Sequence, residues 1–184
     1  NDPIRIETVW RWVSKPVDPA ATGDVGSAIR DAVASHLRSD VPVCTLLSGG
    51  IDSTIITRCA AEAGLAAKEP VQTYCSGFDD GDAASDLACA RRASAELGTS
   101  HIEASITREH FLTRWPEMVA ALGSPLSTPN EVAINAVARR LRADGRIVAL
   151  SGEGADELFA GYDSILAAAL AAEASLPGDP AAAA

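Results

Sequence analysis

Apolar residues recur along this chain in two rhythms. From about Thr22 to Arg38, the residues Val25, Ile29, Val33 and Leu37 fall at helical spacing and predict a helix that buries one face. Val43–Leu47 is a continuous run of apolar or near-apolar residues, which predicts a buried strand. A Ser-Gly-Gly turn leads from it into a helix running from Ile51 to about Ala63, with Ile51, Ile55, Ile56, Cys59 and Ala60 on its apolar face. Gly64 closes that helix, and Val71–Phe78 predicts a second strand. An acidic turn (Asp79, Asp80, Asp82) follows, its spacing matching no calcium loop, and then a helix from about Ala83 to Leu97 that stops at Gly98. His101–Ser105 predicts a third strand and Thr107–Leu122 a helix. The two prolines of Gly123–Asn130 mark a loop, Glu131–Ala143 another helix, and Arg146–Leu150 a fourth strand. Past Tyr162 the pattern weakens into Ala-rich helix and then a flexible tail.

Strands alternating with helices predict an α/β protein: a doubly wound parallel sheet with helices on both faces, Rossmann-like in plan. The order β-α-β-α-β, two helices, β sets the first and fourth strands side by side. Ligands in such sheets bind in the crevice at the strands' carboxyl ends, where the winding direction reverses. Asn1–Pro19 alternates weakly (Ile4, Ile6, Val9, Trp10, Trp12) and ends in Lys-Pro and Asp-Pro, as an edge strand or linker from an upstream domain would. The organisation expected is therefore a linker over 1–20, one domain over 21–170, cut short at its C-terminal end, and a tail over 171–184.

Charge narrows the partners. The formal net charge is −10 with no basic run, which argues against nucleic acid and anionic membranes. The longest Ala-rich run, Ile165–Ala172, is too short to cross a bilayer, and no signal-peptide pattern opens the chain. Cys44, Cys59, Cys75 and Cys89 form no C-x-x-C pair and fit buried, reduced thiols in a cytoplasmic setting.

Two stretches carry chemistry. In Ser48-Gly49-Gly50-Ile51-Asp52-Ser53 a strand feeds a helix through two glycines, so backbone N–H groups face outward where an anion could sit. Ser48 and Ser53 add hydroxyl donors. Asp52 would repel phosphate unless a divalent cation lay between them, so it reads as a magnesium ligand. The missing lysine separates this loop from the G-x-x-x-x-G-K-[ST] kind. The second stretch, Ser151-Gly152-Glu153-Gly154-Ala155-Asp156-Glu157, follows the fourth strand and puts three carboxylates at a helix start. Ordinary helix capping and dipole complementarity account for either stretch alone. Together they would face one crevice from opposite sides.

SGGIDS followed about a hundred residues later by LSGEGADELFAGY resembles the synthetase domain of glutamine-dependent asparagine synthetases. That group lies within the ATP pyrophosphatases with an SGGxDS loop, of adenine nucleotide alpha hydrolase-like fold. Thr73–Phe78 and Gly98–His101 fit the same resemblance, which spans roughly residues 22 to 165. It implies an enzyme that converts a carboxylate (aspartate or a related acid) to an acyl-adenylate with release of pyrophosphate, ammonia then displacing AMP to give an amide. Carried onto this chain, it implies that Ser48, Gly49, Gly50, Asp52 and Ser53 hold the pyrophosphate portion of ATP. Leu46, Ser76 and Gly152 would line the adenosine pocket, Ser151 would also bind ATP, Asp52 and Asp156 would bind Mg2+, and Glu153 would be the base. It also implies a glutaminase domain or subunit upstream, with a homodimer as the candidate assembly.

The chain departs from that pattern in places. Ser127-Thr128-Pro129-Asn130-Glu131 stands where the family carries a Thr-x-Arg segment, and no arginine is present. Residue 1 is Asn, not the nucleophilic Cys of a glutaminase, and the lysines are Lys15 and Lys68 only, neither after the second stretch. The related β-lactam synthetases tend to have Tyr where Glu153 stands, so Glu153 favours ammonia chemistry over ring closure. Other amidotransferases, tRNA-thiolating or GMP-forming enzymes of the class, and a non-catalytic nucleotide-binding module are the alternatives. His36 and His110 read as exposed helix residues, His101 as shaping a strand end, and Trp10, Trp12 and Trp115 as packing residues.

Overall fold

The computed structural model describes residues 23–64, 70–78, 82, 85–159, 161–163, 166–168 and 171. The expected linker over 1–20, most of the acidic turn, Lys15, Lys68 and the tail beyond Ala171 lie outside the described residues.

Local chemistry sets the helix limits. Helix α1 spans Val25–His36, starting later than the apolar spacing alone indicates because Asp24 caps it. The Asp24 carboxylate accepts from the Gly26 and Ser27 amides at 3.0 and 3.2 Å and from the Ser27 hydroxyl. These bonds, the hydroxyl's above all, hold that carboxyl below its ordinary pKa. Strand β1 (Val43–Leu46) leads to α2 (Ile51–Gly64), β2 (Gln72–Phe78) and α3 (Asp86–Leu97). Ser85 caps α3 through its side chain, so that helix begins past the expected Ala83. Gly98 ends it in the left-handed region at φ 64°, which glycine adopts without a Cβ penalty. Strand β3 (Ser100–Ile106), α4 (Arg108–Leu122), α5 (Asn130–Ala143), β4 (Val148–Leu150) and the short α6 (Ala155–Phe159) complete the order.

The four strands form one sheet in the order β3-β2-β1-β4, every pairing parallel. Val43 lies opposite Val148 and Thr45 opposite Leu150, so the first and fourth strands are neighbours, as the element order requires. Successive strand residues point to opposite faces, and the core divides accordingly. On one face Cys75 and Leu47 pack with Leu87 and Ala90 of α3. On the other, Tyr74 and Cys44 pack with Val137 of α5, joined by Leu46, Ile102 and Leu141. Helices therefore cover both faces, as a buried parallel sheet demands.

Two helices bury something other than their apolar pattern. Helix α2 turns Ser53, Thr57 and Ala60 toward the sheet, while Ile51 is 78% and Ile55 41% exposed. The reason is polar: the buried Thr45 and Thr57 hydroxyls meet at 3.0 Å across the strand–helix contact. Small side chains at this spacing bring the helix close to β1. Ile51, Ile55 and Ile56 line a groove with Val25 and Ile29 of α1 and Leu158 of α6. Helix α4 buries no residue; Phe111 stacks between Phe78 and Trp115, with ring centroids 5.7 and 5.5 Å away. Trp115 thus packs, as its sequence context indicates.

A second polar network ties α3 to the sheet. The Ser94 hydroxyl meets that of Thr99 at 2.7 Å, Thr99 meets Thr73 at 3.3 Å, and Thr73 meets His101 Nδ1 at 2.8 Å. His101 Nε2 is buried with no hydrogen-bond partner, its nearest carboxylate being Glu103 at 3.8 Å. Burial pushes the His101 pKa below its ordinary 6.5, with Glu103 opposing and Arg91 assisting.

Two outcomes follow from these networks. Thr57→Ala leaves the Thr45 hydroxyl buried without a partner and costs about 1–3 kcal/mol in denaturant unfolding. The double change Thr45→Val with Thr57→Val recovers part of that loss. Because folding lowers the His101 pKa, the unfolded chain binds this proton more readily. Stability is full above the unfolded value of 6.5 and declines as pH falls from there toward the lowered folded pKa. Thermal unfolding across that window shows the decline, and His101→Gln flattens it.

Candidate active site

The β1–α2 loop is held from within by one hydroxyl. Ser53 Oγ accepts from the Ser48 amide at 3.2 Å, meets the Ser48 hydroxyl at 3.0 Å, and donates to the Gly50 carbonyl at 3.2 Å. That uses the donor and both lone pairs of a serine. Gly49 has φ +81°, and a Cβ there would fall 2.6 Å from the Cys89 carbonyl carbon in α3. Only glycine meets both demands, the left-handed backbone and the close approach.

The β4–α6 loop makes the matching approach. A Cβ on Gly152 would lie 2.9 Å from both Asp52 Cβ and the Ser53 amide nitrogen. The two Ser-Gly corners, a hundred residues apart in the chain, are thus in van der Waals contact. The Glu153 amide donates to Ser151 Oγ at 3.4 Å, and Gly154 turns the chain at φ +91° into α6. Past α6 the chain folds back, the Gly161 amide donating to the Asp156 carbonyl at 3.0 Å and the Tyr162 hydroxyl to Glu157 Oε1 at 2.8 Å. That carboxylate raises the Tyr162 pKa and keeps the phenol protonated.

Between the corners lies a cleft of about 350 Å³. Leu46, Ser48, Gly50, Asp52, Ser53, Ser76, Ser151, Gly152, Glu153 and Asp156 all line it. Gly49, the remaining expected residue, is absent from its wall and is turned toward α3 instead. Asp86, Asn130, Ile134, Tyr74, Cys75 and Tyr162 also line the cleft and were not singled out from sequence. Ser85 capping marks Asp86 as the first residue of α3, a readable signal; nothing local marks Asn130 or Ile134. Burial, with Asp86 and Glu103 adding to it, pushes the Cys75 thiol up to about 12, so it is neutral and no nucleophile. The Tyr74 phenol is raised by burial and by its bond to Asp144. Among the described residues no three His, Cys, Asp or Glu side chains are grouped to hold a metal by themselves.

Residues 24–182 match the Asparagine synthase family. The chain belongs to that family. Among curated relatives of this chain, asparagine synthetase [glutamine-hydrolyzing] 1 of Bacillus subtilis (strain 168) is 37% identical over 163 residues, 87% of this chain and 25% of the relative. A putative asparagine synthetase [glutamine-hydrolyzing] of Mycobacterium tuberculosis H37Rv is 38% identical over 158 residues, 83% of this chain and 23% of the relative. Amidase chry2 of Gibberella zeae is 31% identical over 160 residues, 81% of this chain and 24% of the relative. The chain thus spans about a quarter of the length of these relatives. Among solved structures, the NH3-dependent NAD synthetase of Campylobacter jejuni aligns with TM-score 0.48 and 19% identity, covering 74% of this chain and 58% of that one. Among the described residues no helix is long and apolar enough to cross a membrane.

The glycines give the direct test of this site. Gly49→Ala places a Cβ in the left-handed region and onto the α3 backbone, and costs at least about 1–3 kcal/mol in chemical denaturation. Gly152→Ala pushes the β4–α6 loop off Asp52 and the Ser53 amide and lowers the midpoint of the same denaturation.

Proposed function

We propose that this chain supplies the nucleotide-binding and acyl-activating part of an ATP-dependent amide-forming ligase. The carrying observation is the seating of Gly152 on Asp52 and Ser53, which makes both Ser-Gly corners walls of one cleft. The main chain at Ser48–Gly50, with the Ser53 hydroxyl that shapes it, would hold the pyrophosphate portion of ATP. Leu46, Ser76, Ser151 and Gly152 would enclose the adenosine.

A magnesium ion fits the donors present. Asp52 and Asp156 offer hard carboxylate oxygens from opposite loops, and Mg2+ takes one or two carboxylates together with phosphate oxygens in such sites. Held there, the ion supplies neutralisation of the phosphate charge. The acceptor carboxylate oxygen attacks the α-phosphorus and pyrophosphate leaves. The ammonia nitrogen then attacks the acyl carbon, AMP leaves, and Glu153 takes the proton released from that nitrogen.

The relatives named as glutamine-hydrolyzing support a glutaminase domain or subunit as the ammonia source in the full-length protein, and the free thiols support a cytoplasmic setting. The acceptor is aspartate or a related acid. The loop expected to read it is closed by its own helix, Glu131 Oε1 accepting from the Ser127 and Thr128 amides at 2.6 and 3.1 Å.

Pyrophosphate release by the full-length protein, with ammonia and a panel of carboxylates beginning with aspartate, tests this reading. Release that depends on one carboxylate is expected. Glu153→Gln lowers amide formation by about 10²–10⁴-fold while leaving carboxylate-dependent ATP–pyrophosphate exchange in place. ATP binding with no pyrophosphate from any acid would leave only a nucleotide-binding module.

A further inference from the structure

The turn that follows α6 touches both consecutive carboxylates of that helix. Neighbouring helix residues point about 100° apart, yet Asp156 and Glu157 both line the cleft, and the turn meets each of them separately. Gly161 restrains the first. Its amide returns to the Asp156 carbonyl at 3.0 Å, and a Cβ at Gly161 would overlap Asp156 Oδ1 and lie 2.9 Å from Asp156 Cγ. Its φ lies outside the left-handed region, so the demand at this position is for space alone. Tyr162 restrains the second through the 2.8 Å bond from its hydroxyl to Glu157 Oε1, and its ring stands on the cleft wall. The Leu166 amide donates in turn to the Tyr162 carbonyl at 3.0 Å, which anchors the backbone that carries the ring.

We propose that Gly161 and Tyr162 form a positioning clamp that aims the two α6 carboxylates, Gly161 packing against Asp156 and Tyr162 holding Glu157, so that the cleft meets a cation and nucleotide with preset oxygens. Tyr162 acts through Glu157 and is a positioning residue; it takes no part in bond making. The inference rests on the ligase reading of the site, and it extends that reading to residues outside the two Ser-Gly corners.

Binding of Mn2+ together with α,β-methylene-ATP to the full-length protein, followed by electron paramagnetic resonance and titration calorimetry, tests the clamp without turnover. Tyr162→Phe keeps the ring and removes one donor. It is expected to weaken Mn2+ binding in the nucleotide complex about tenfold, with an unchanged unfolding temperature. Glu157→Ala and Tyr162→Phe combined are expected to lose less than the sum of the two single losses, because both changes break the same bond. Gly161→Ala is expected to weaken binding further by displacing Asp156; should it fail to fold, the Tyr162 pair still decides. Equal Mn2+ affinity in Tyr162→Phe and the unsubstituted protein, or fully additive losses in the double variant, would overturn the clamp and leave the ligase reading standing. An unsubstituted protein that binds neither ion nor nucleotide would overturn both.

Discussion

Gly152 sits with its α-carbon against Asp52 and the Ser53 amide, and a residue with a side-chain carbon has no room there. This approach is available only because β1 and β4 are hydrogen-bonded neighbours, ending at the same edge of the sheet. It is reinforced from behind, where Gly49 admits the α3 backbone and the Thr45–Thr57 hydroxyl pair draws α2 onto β1. The site is thus fixed by backbone proximity, with few long side chains involved. Such construction spares side-chain rotamer entropy, since glycine and serine have little of it to lose, while glycine gives up more backbone freedom than any other residue.

The electrostatics of the cleft complement that construction. Asp52, Asp86, Glu153, Asp156 and Glu157 line it, and among the described lining residues there is no Lys, Arg or His. A polyphosphate entering such a cleft must bring positive charge with it or find it on another segment of the protein. The backbone amides of the loop supply partial charge only. In the ligase reading proposed above, a divalent cation would fill that place between nucleotide and protein.

The sheet order and the convergence of the two loops were legible because they depend on element order and on glycine-rich corners, both of which are local signals. Helix α2 was legible as a helix but not as to its inner face. Hydropathy ranks Ile51 and Ile55 above Ser53 and Thr57, yet a satisfied hydroxyl pair lets threonine occupy the helix–strand contact. The same limit hid Asn130 and Ile134, which reach the cleft from α5 through tertiary placement alone. The close approach of Gly49 to Cys89 of α3 was likewise hidden, since nothing near either residue in the sequence announces it. Tyr162 lay in the quoted sequence but gained meaning only from the turn that returns it to Glu157.

The pairing of Val43 with Val148 also has a kinetic side. The strand at the middle of the sheet acquires its second neighbour only after about a hundred further residues have been synthesised, a separation that gives the topology a high contact order. Until β4 arrives, one edge of β1 has unpaired amides and carbonyls, a template for mispairing with other chains. The slow step of folding should therefore be the closure of that long loop, and the ligand cleft, which lies on the seam between these two strands, can come into being no earlier than that event.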